Sequence, residues 1–159
     1  CFLLLNFIDC SESGTLEIIS GNEFSFIPFL TSADLISCNS FSKELIDIFK
    51  NLSDDGFKIG VASNSIRETL TNCLQSLGIW RYIDVSLSNE DVVNPKPNPE
   101  IYIKCINYFN VDPNFVIIFE DSKIGIQAAK ASGSKVIEIT KRSDINLKFI
   151  KNIIEEKNE

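Results

Sequence analysis

Three short polar segments carry the side chains with which this chain could do chemistry. They are Ser63-Asn64-Ser65, the proline-rich run Asn94–Pro99 with Lys96 inside it, and Glu120-Asp121-Ser122. Hydroxyls and backbone N–H groups ahead of a helix can bind phosphate, and a rigidly held lysine can neutralise the charge of a phosphoryl group. Adjacent carboxylates are typical ligands of Mg²⁺. The residue types are therefore compatible with phosphate chemistry beside a divalent cation.

Each segment also has a purely structural interpretation. Ser63 or Asn64 would cap the helix that follows, because Ser and Asn are favoured at that position. Lys96 would be a solvated lysine in a proline-rich loop, and Asp121 would cap the next helix. The phosphate interpretation requires one fold to bring all three segments together, whereas the structural interpretation does not.

The composition excludes several kinds of active site. The chain has 159 residues and contains no histidine and no methionine. Without histidine there is no Ser-His-Asp triad, no Cys-His pair and no imidazole-ligated zinc. Acid–base or metal chemistry must therefore come from carboxylates, hydroxyls and lysines.

Charge and cysteine content indicate where the protein acts and on what. The 22 acidic side chains outnumber the 15 basic ones, and the net charge of −7 disfavours a nucleic-acid partner. The 5 cysteines are widely spaced without a C-x-x-C motif, which favours free thiols in a reducing compartment. No apolar run reaches membrane-spanning length. We therefore expect a soluble, cytoplasmic protein with a small-molecule substrate and no membrane partner.

Strand and helix patterns alternate along most of the chain. Short apolar runs predict strands, and apolar residues at helical spacing predict helices between them. The strands are Phe2–Ile8, Lys58–Ala62, Asp84–Leu87, Val116–Phe119 and Lys135–Ile139; the helices are Phe41–Leu52, Arg67–Leu77, Pro99–Phe109, Ile124–Ala131 and one that begins at Asp144. This alternation predicts an α/β protein with a three-layer Rossmann-like core and a mostly parallel sheet. Because each polar segment follows a predicted strand, the three should meet at the carboxyl edge of that sheet.

The first part of the chain has a different pattern. Leu16–Ser20 and Phe24–Phe29 flank Gly21-Asn22 in the manner of a β-hairpin. We therefore predict an irregular, β-rich segment over residues 1–30, either a flap or the remnant of an upstream region. The Rossmann-like core is predicted over residues 31–159.

Considered together, the motifs resemble those of a known family. VASNS, NPKPNPEIY and IIFEDSKIGIQAAKASG are similar to motifs two, three and four of the haloacid dehalogenase superfamily, in the branch of beta-phosphoglucomutase and small sugar-phosphate phosphatases. The resemblance covers roughly Thr31–Ile139. It implies that the Ser63 hydroxyl and the backbone N–H of Asn64 bind the transferring phosphoryl group. It also implies that Lys96 screens its charge, and that Asp121 holds Mg²⁺ with Glu120 as a second ligand or support.

The first motif of that family, Asp-x-Asp-Gly-Thr, is absent from this sequence. In the family its first aspartate forms an aspartyl-phosphate and its second is the general acid–base. The nearest match has Asp9 after an apolar strand, but Ser11 stands where the second aspartate belongs and two extra residues precede Gly14. The nucleophile lies upstream of Cys1, or Asp9 is a degenerate nucleophile, or the protein is a relative without turnover.

The resemblance implies a function for the parent protein. We expect Mg²⁺-dependent phosphoryl transfer from a small phosphorylated metabolite through an aspartyl-phosphate, as a phosphatase or a phosphomutase. If the nucleophile lies upstream of Cys1, we expect this chain by itself to be inactive. The competing expectation is a non-catalytic phosphate-binding or regulatory module, and a dehalogenase would need the same missing aspartate.

Overall fold

The computed structural model of the protein describes residues 2–6, 32–140 and 145–155. Five parallel strands form one sheet in the order β3-β2-β1-β4-β5. The strands are β1 (Phe2–Asn6), β2 (Lys58–Ala62), β3 (Val85–Leu87), β4 (Val116–Glu120) and β5 (Lys135–Glu138), and the helices are α1 (Ser32–Asp54), α2 (Arg67–Ser76), α3 (Glu100–Phe109), α4 (Lys123–Ala131) and α5 (Leu147–Glu155). The predicted α/β fold with a parallel sheet is therefore confirmed.

The sheet lies between two layers of helices. All five residues of β4 are buried, as expected of a strand covered on both faces. Ile59 and Phe119 belong to a core formed with α1, α2 and α5, whereas Ala62 and Ile118 belong to a second core formed with α3 and α4. Successive side chains of a strand point to opposite faces, so the short apolar runs supply both cores at once.

β1 is the middle strand of the sheet. Its residues pair with β2 on one side and with β4 on the other, and Asn6 lies opposite Glu120 in the second pairing. The predicted division after residue 30 stays a prediction, and the hairpin predicted within residues 16–29 lies outside the described residues. The first five residues described nevertheless belong to the same sheet as the core.

Two helix starts differ from the sequence-based boundaries by more than one residue. α1 begins at Ser32 rather than Phe41, although Ser, Asp and Asn in its first turns have weak helix propensity. The last helix begins at Leu147 rather than Asp144. There the Asn146 side chain accepts a hydrogen bond from the N–H of Phe149 at 2.9 Å, which fixes the start of that helix.

Across 2–6, 32–140 and 145–155, no helix combines the length and the apolar character that spanning a membrane demands.

Candidate functional site

Ser63 lies at the carboxyl end of β2, where it joins that strand to its neighbour. Its N–H donates to the carbonyl of Leu87 in β3 at 2.9 Å, and its hydroxyl accepts from the N–H of Ser65 at 3.1 Å. Ser63 is 1% exposed, whereas Asn64 is exposed. The residue ahead of α2 is Ile66, whose side chain makes no capping hydrogen bond, and the N–H of Arg67 at the helix start donates to Oε2 of Glu90 at 3.4 Å. The capping interpretation of this segment is therefore wrong.

Lys96 reaches the same edge of the sheet from the loop after β3. Its Nζ lies 3.2 Å from the carbonyl oxygen of Ala62 and 3.1 Å from Oε2 of Glu120. The ammonium also lies 4.6 Å from the ring centroid of Tyr102 in α3. With 6% of the residue exposed, Lys96 is not a solvated loop lysine, and that alternative is wrong. The ammonium of Lys96 is thus held at the carboxyl edge by groups from β2, β4 and α3.

The environment of Lys96 acts on its pKa in two directions. Burial lowers the pKa of Lys96 below its ordinary value, because a charged amine is poorly solvated there. The Glu120 carboxylate opposes this effect by its charge and by its hydrogen bond, and Asp121 adds a smaller contribution of the same sign. Glu120 is therefore the main group that keeps the ammonium charged.

Glu120, the last residue of β4, is completely buried and hydrogen-bonded through both oxygens. Oε1 accepts from the N–H of Asp121 at 3.1 Å, from the N–H of Ser122 at 3.0 Å and from the Ser122 hydroxyl at 2.9 Å. Oε2 accepts from Lys96 and from the Tyr102 hydroxyl. The carboxylate thus forms a buried ion pair with Lys96. Its predicted role as a ligand of Mg²⁺ stays a prediction.

A glycine provides the space that the Glu120 carboxylate occupies. A Cβ added at Gly125 in α4 would lie 2.0 Å from Oε2 and 2.1 Å from Cδ of Glu120. Real Cβ atoms do not approach other heavy atoms so closely, so the buried carboxylate and a side chain at position 125 exclude each other.

Asp121 differs from its neighbour in being exposed at the carboxyl edge. The cap of α4 is Ser122, whose hydroxyl accepts from the N–H of Gly125 at 3.1 Å, so the interpretation of Asp121 as the cap is wrong. Carboxylate oxygen is the donor type that Mg²⁺ prefers, and proteins often hold this ion with one or two carboxylates. The donor set therefore fits Mg²⁺ in kind, and Asp121 would hold it. Among the described residues, no cluster of three or more metal-ligating side chains occurs.

Glu100, the first residue of α3, fixes the loop that carries Lys96. Its Oε1 accepts from the N–H of Val93 at 3.0 Å, and its Oε2 accepts from the N–H and the side-chain amide of Asn94, each at 2.9 Å. Lys104 lies 3.0 Å from Oε1. The Val93 hydrogen bond, followed by those of Lys104 and Asn94, lowers the pKa of Glu100 from its ordinary 4.5 to about 2.

This lowered pKa predicts a pH dependence of stability. A carboxyl group whose pKa is lower in the folded state stabilises the fold above its unfolded pKa and loses that contribution as the pH falls. For Glu100 the loss should extend from about pH 4.5 to about pH 2. Glu100→Gln should therefore be less stable than the wild type at pH 7, and the difference should shrink across this window.

Urea unfolding of both proteins at several pH values measures this difference. Glu44→Gln, at an exposed position of α1, is the control and should show no such trend. A stability difference for Glu100→Gln that is constant from pH 7 to pH 2 would contradict the prediction.

Arg67 and Asp91 tie the loops after β2 and β3 to each other. The Arg67 guanidinium donates to Asp91, and the N–H and hydroxyl of Ser88 donate to the same carboxylate at 2.7 and 2.9 Å. The N–H of Asn89 also donates to the carbonyl of Ser65 at 3.1 Å. The backbone around Ser63 is thereby supported from the neighbouring loop. Sequence reasoning did not single out Asp91.

Tyr102 is the other residue of the site that sequence reasoning missed. It lies on the buried face of α3 together with Ile101, Cys105 and Ile106. Its place in this apolar pattern contained a usable signal, because a buried tyrosine hydroxyl requires a hydrogen-bond partner. The partner could not be read from the pattern, since Glu120 is 18 residues away in sequence.

The fold and the site define a class of protein. It is a three-layer α/β protein with a serine loop and a buried lysine–carboxylate pair at the carboxyl edge of its parallel sheet. The family model for haloacid dehalogenase-like hydrolases matches residues 33–139 of this chain. The chain belongs to that family.

Individual relatives and structures agree with this assignment. The chain is 33% identical over 101 residues to a phosphorylated carbohydrates phosphatase of Thermotoga maritima, a match that covers 64% of this chain and 45% of the relative. It is 34% identical over 82 residues to the fructose-1-phosphate phosphatase YqaB of Escherichia coli, covering 51% of this chain and 42% of the relative. The chain thus spans less than half of either relative.

A solved structure shows the same similarity in three dimensions. A HAD-superfamily hydrolase from Ehrlichia chaffeensis superimposes with a TM-score of 0.62 and 25% identity, covering 73% of this chain and 58% of that chain. The predicted resemblance of the three motifs to this superfamily is therefore confirmed.

Proposed function

We propose that the protein containing this chain transfers a phosphoryl group from a small phosphorylated metabolite, as a phosphatase or a phosphomutase. The observation that carries the proposal is the buried Lys96–Glu120 pair, whose ammonium contacts the end of β2 directly before Ser63. Burying a charged pair costs desolvation energy, and ionisable groups perturbed by burial and by a charge partner cluster at functional sites. The relatives named above act on phosphorylated carbohydrates and fructose 1-phosphate, which supports a sugar phosphate as the substrate class.

The side chains divide the work of binding the phosphoryl group. The Ser63 hydroxyl and the N–H of Asn64 would donate to its oxygens, and Lys96 would offset its negative charge. Asp121, with Glu120 as support, would hold Mg²⁺, which when bound neutralises charge on the phosphoryl oxygens. Apart from the nucleophile, such a site needs mainly positioning and charge complementarity.

The position of β1 bears on the source of the nucleophile. β1 fills the place between β2 and β4, and its last residue lies opposite Glu120. A strand supplied from upstream of Cys1 would have to join the sheet at an edge, away from Ser63. This favours the alternative in which the nucleophile follows β1 within this chain, and Asp9 is the first aspartate after it. We propose that Asp9 forms the aspartyl-phosphate.

The proposed function is tested by the release of inorganic phosphate from a panel of sugar phosphates, with and without Mg²⁺. The expected result is hydrolysis that EDTA abolishes. Asp121→Asn should raise the Mg²⁺ concentration needed for half-maximal rate at least about tenfold, because it removes a charged ligand. In the same assay, Asp9→Asn should show no turnover. Full activity of Asp121→Asn at low Mg²⁺ would contradict the metal role.

A second candidate, a phosphate-binding module without turnover, is favoured by one observation. Both oxygens of Glu120 accept hydrogen bonds within the protein, which leaves Asp121 as the exposed carboxylate of this pair. Such a module should bind beryllofluoride in the presence of Mg²⁺ and hydrolyse none of the panel. Calorimetric titration with beryllofluoride alongside the activity assay distinguishes the two functions.

A further inference from the structure

Tyr102 contacts both members of the buried charge pair. Its side chain is completely buried, its hydroxyl donates to Oε2 of Glu120, and its ring lies below the ammonium of Lys96. The same oxygen of Glu120 also accepts from Lys96 at 3.1 Å. One carboxylate oxygen therefore serves two donors that come from a loop and from α3.

Sharing this oxygen has an electrostatic consequence. A carboxylate oxygen that already accepts from a neutral hydroxyl holds an ammonium less tightly than one that accepts from the ammonium alone. The ring face adds a further attraction, because its π-electrons favour a cation above it. The ammonium therefore has three partners, namely Oε2 of Glu120 at 3.1 Å, the carbonyl of Ala62 at 3.2 Å and the ring of Tyr102.

We propose that Tyr102 is a positioning residue for Lys96. It keeps the ammonium at the carboxyl edge of the sheet and leaves part of its charge available to a phosphoryl group. The role rests on the proposed function, since it is for a phosphoryl group that the charge is kept available. This positioning role requires the Tyr102 hydroxyl as well as the ring, and it therefore differs from the ordinary packing role of a buried tyrosine.

The matched variants are Tyr102→Phe, which removes only the hydroxyl, and Tyr108→Phe, which makes the same change at a position of α3 that is 63% exposed. Acylation of lysines by an excess of acetic anhydride, followed by mass spectrometry, reports how readily each Nζ leaves its partner. We expect Lys96 to react about threefold more slowly in Tyr102→Phe than in the wild type, because Oε2 of Glu120 would then accept from the ammonium without the competing hydroxyl and hold it more tightly. Exposed Lys43 should be unchanged.

Alkylation of Cys105 in the same proteins detects loosened packing. This thiol is completely buried on the same helix, and burial raises its pKa to about 12, so it reacts only when the helix opens. A packing role alone would make Cys105 and Lys96 both react faster in Tyr102→Phe. That result, or an unchanged rate at Lys96, would overturn the proposal.

Binding of inorganic phosphate with Mg²⁺ provides the second measurement. Tyr102→Phe should weaken phosphate binding about threefold or more, and Tyr108→Phe should leave it unchanged. If Lys96 reacts more slowly as expected but the wild type binds no phosphate, the proposed function fails while the positioning of Lys96 by Tyr102 stands. If the wild type binds phosphate and Tyr102→Phe binds it equally well, the positioning role fails and the proposed function stands.

Discussion

Lys96→Met is expected to reduce phosphoryl transfer about 10³-fold and to destabilise the fold by about 3 kcal/mol. Under the proposed function, the loss of activity follows because the variant would have no cation to offset the charge of the phosphoryl group. The loss of stability follows because Glu120, with none of its side chain exposed, would keep its charge without an ionic partner. Methionine has a similar length and an apolar end, so it changes the charge more than the packing.

The double variant Lys96→Met/Glu120→Gln separates the two effects. Removing both charges should restore most of the stability, because a buried pair replaced by neutral groups costs much less than a single unpaired charge. Activity should remain lost, since the cation is still absent. Urea unfolding and the phosphate-release assay provide the two measurements. A Lys96→Met variant as stable as the wild type would show that Lys96 and Glu120 are not energetically coupled.

Gly125→Ala is expected to destabilise the protein by at least about 3 kcal/mol, although alanine favours helices. By helix propensity alone this change would stabilise α4 by about 1 kcal/mol. The added Cβ would, however, lie 2.0 Å from Oε2 of Glu120, and the carboxylate has no room to move without breaking its contacts with Lys96 and Ser122. The steric conflict therefore outweighs the gain in propensity.

Gly133→Ala is the matched control for this substitution. Gly133 has a φ of +83°, and a Cβ there would lie 3.7 Å from Cβ of Pro113, which is an ordinary contact. Alanine at this position should cost about 1 kcal/mol from backbone strain alone. Thermal and urea unfolding compare the two variants. A Gly125→Ala variant at least as stable as Gly133→Ala would show that the Glu120 carboxylate is not held beside α4.

Much of the fold could be predicted from local patterns. The apolar run at β4 and the helix-period pattern of α3 depend on residues close together in sequence, and both elements lie within a residue or two of their predicted bounds. The three polar segments were predicted to meet because parallel strands end at one edge of a sheet. The contacts of Lys96 with Ala62 and Glu120 agree with that expectation.

The arrangement of the buried pair could not be predicted in the same way. Lys96 and Glu120 are 24 residues apart, and no periodicity relates a loop lysine to the last residue of a strand. Adjacent carboxylates also looked equivalent in sequence, yet Glu120 is buried and Asp121 is exposed. The difference arises because Gly125 leaves space for one carboxylate below the start of α4.

The central position of β1 governs how the chain can assemble. Phe2 pairs with Lys58 on one side and with Val116 on the other, so β1 gains its second neighbour only from a segment far along the sequence. Contacts of such sequence separation slow folding, because the loops between them must close before the contacts form. Deleting the first six residues should leave two unconnected pairs of strands, β3–β2 and β4–β5. The proposed phosphate site, which depends on both pairs, would therefore require β1.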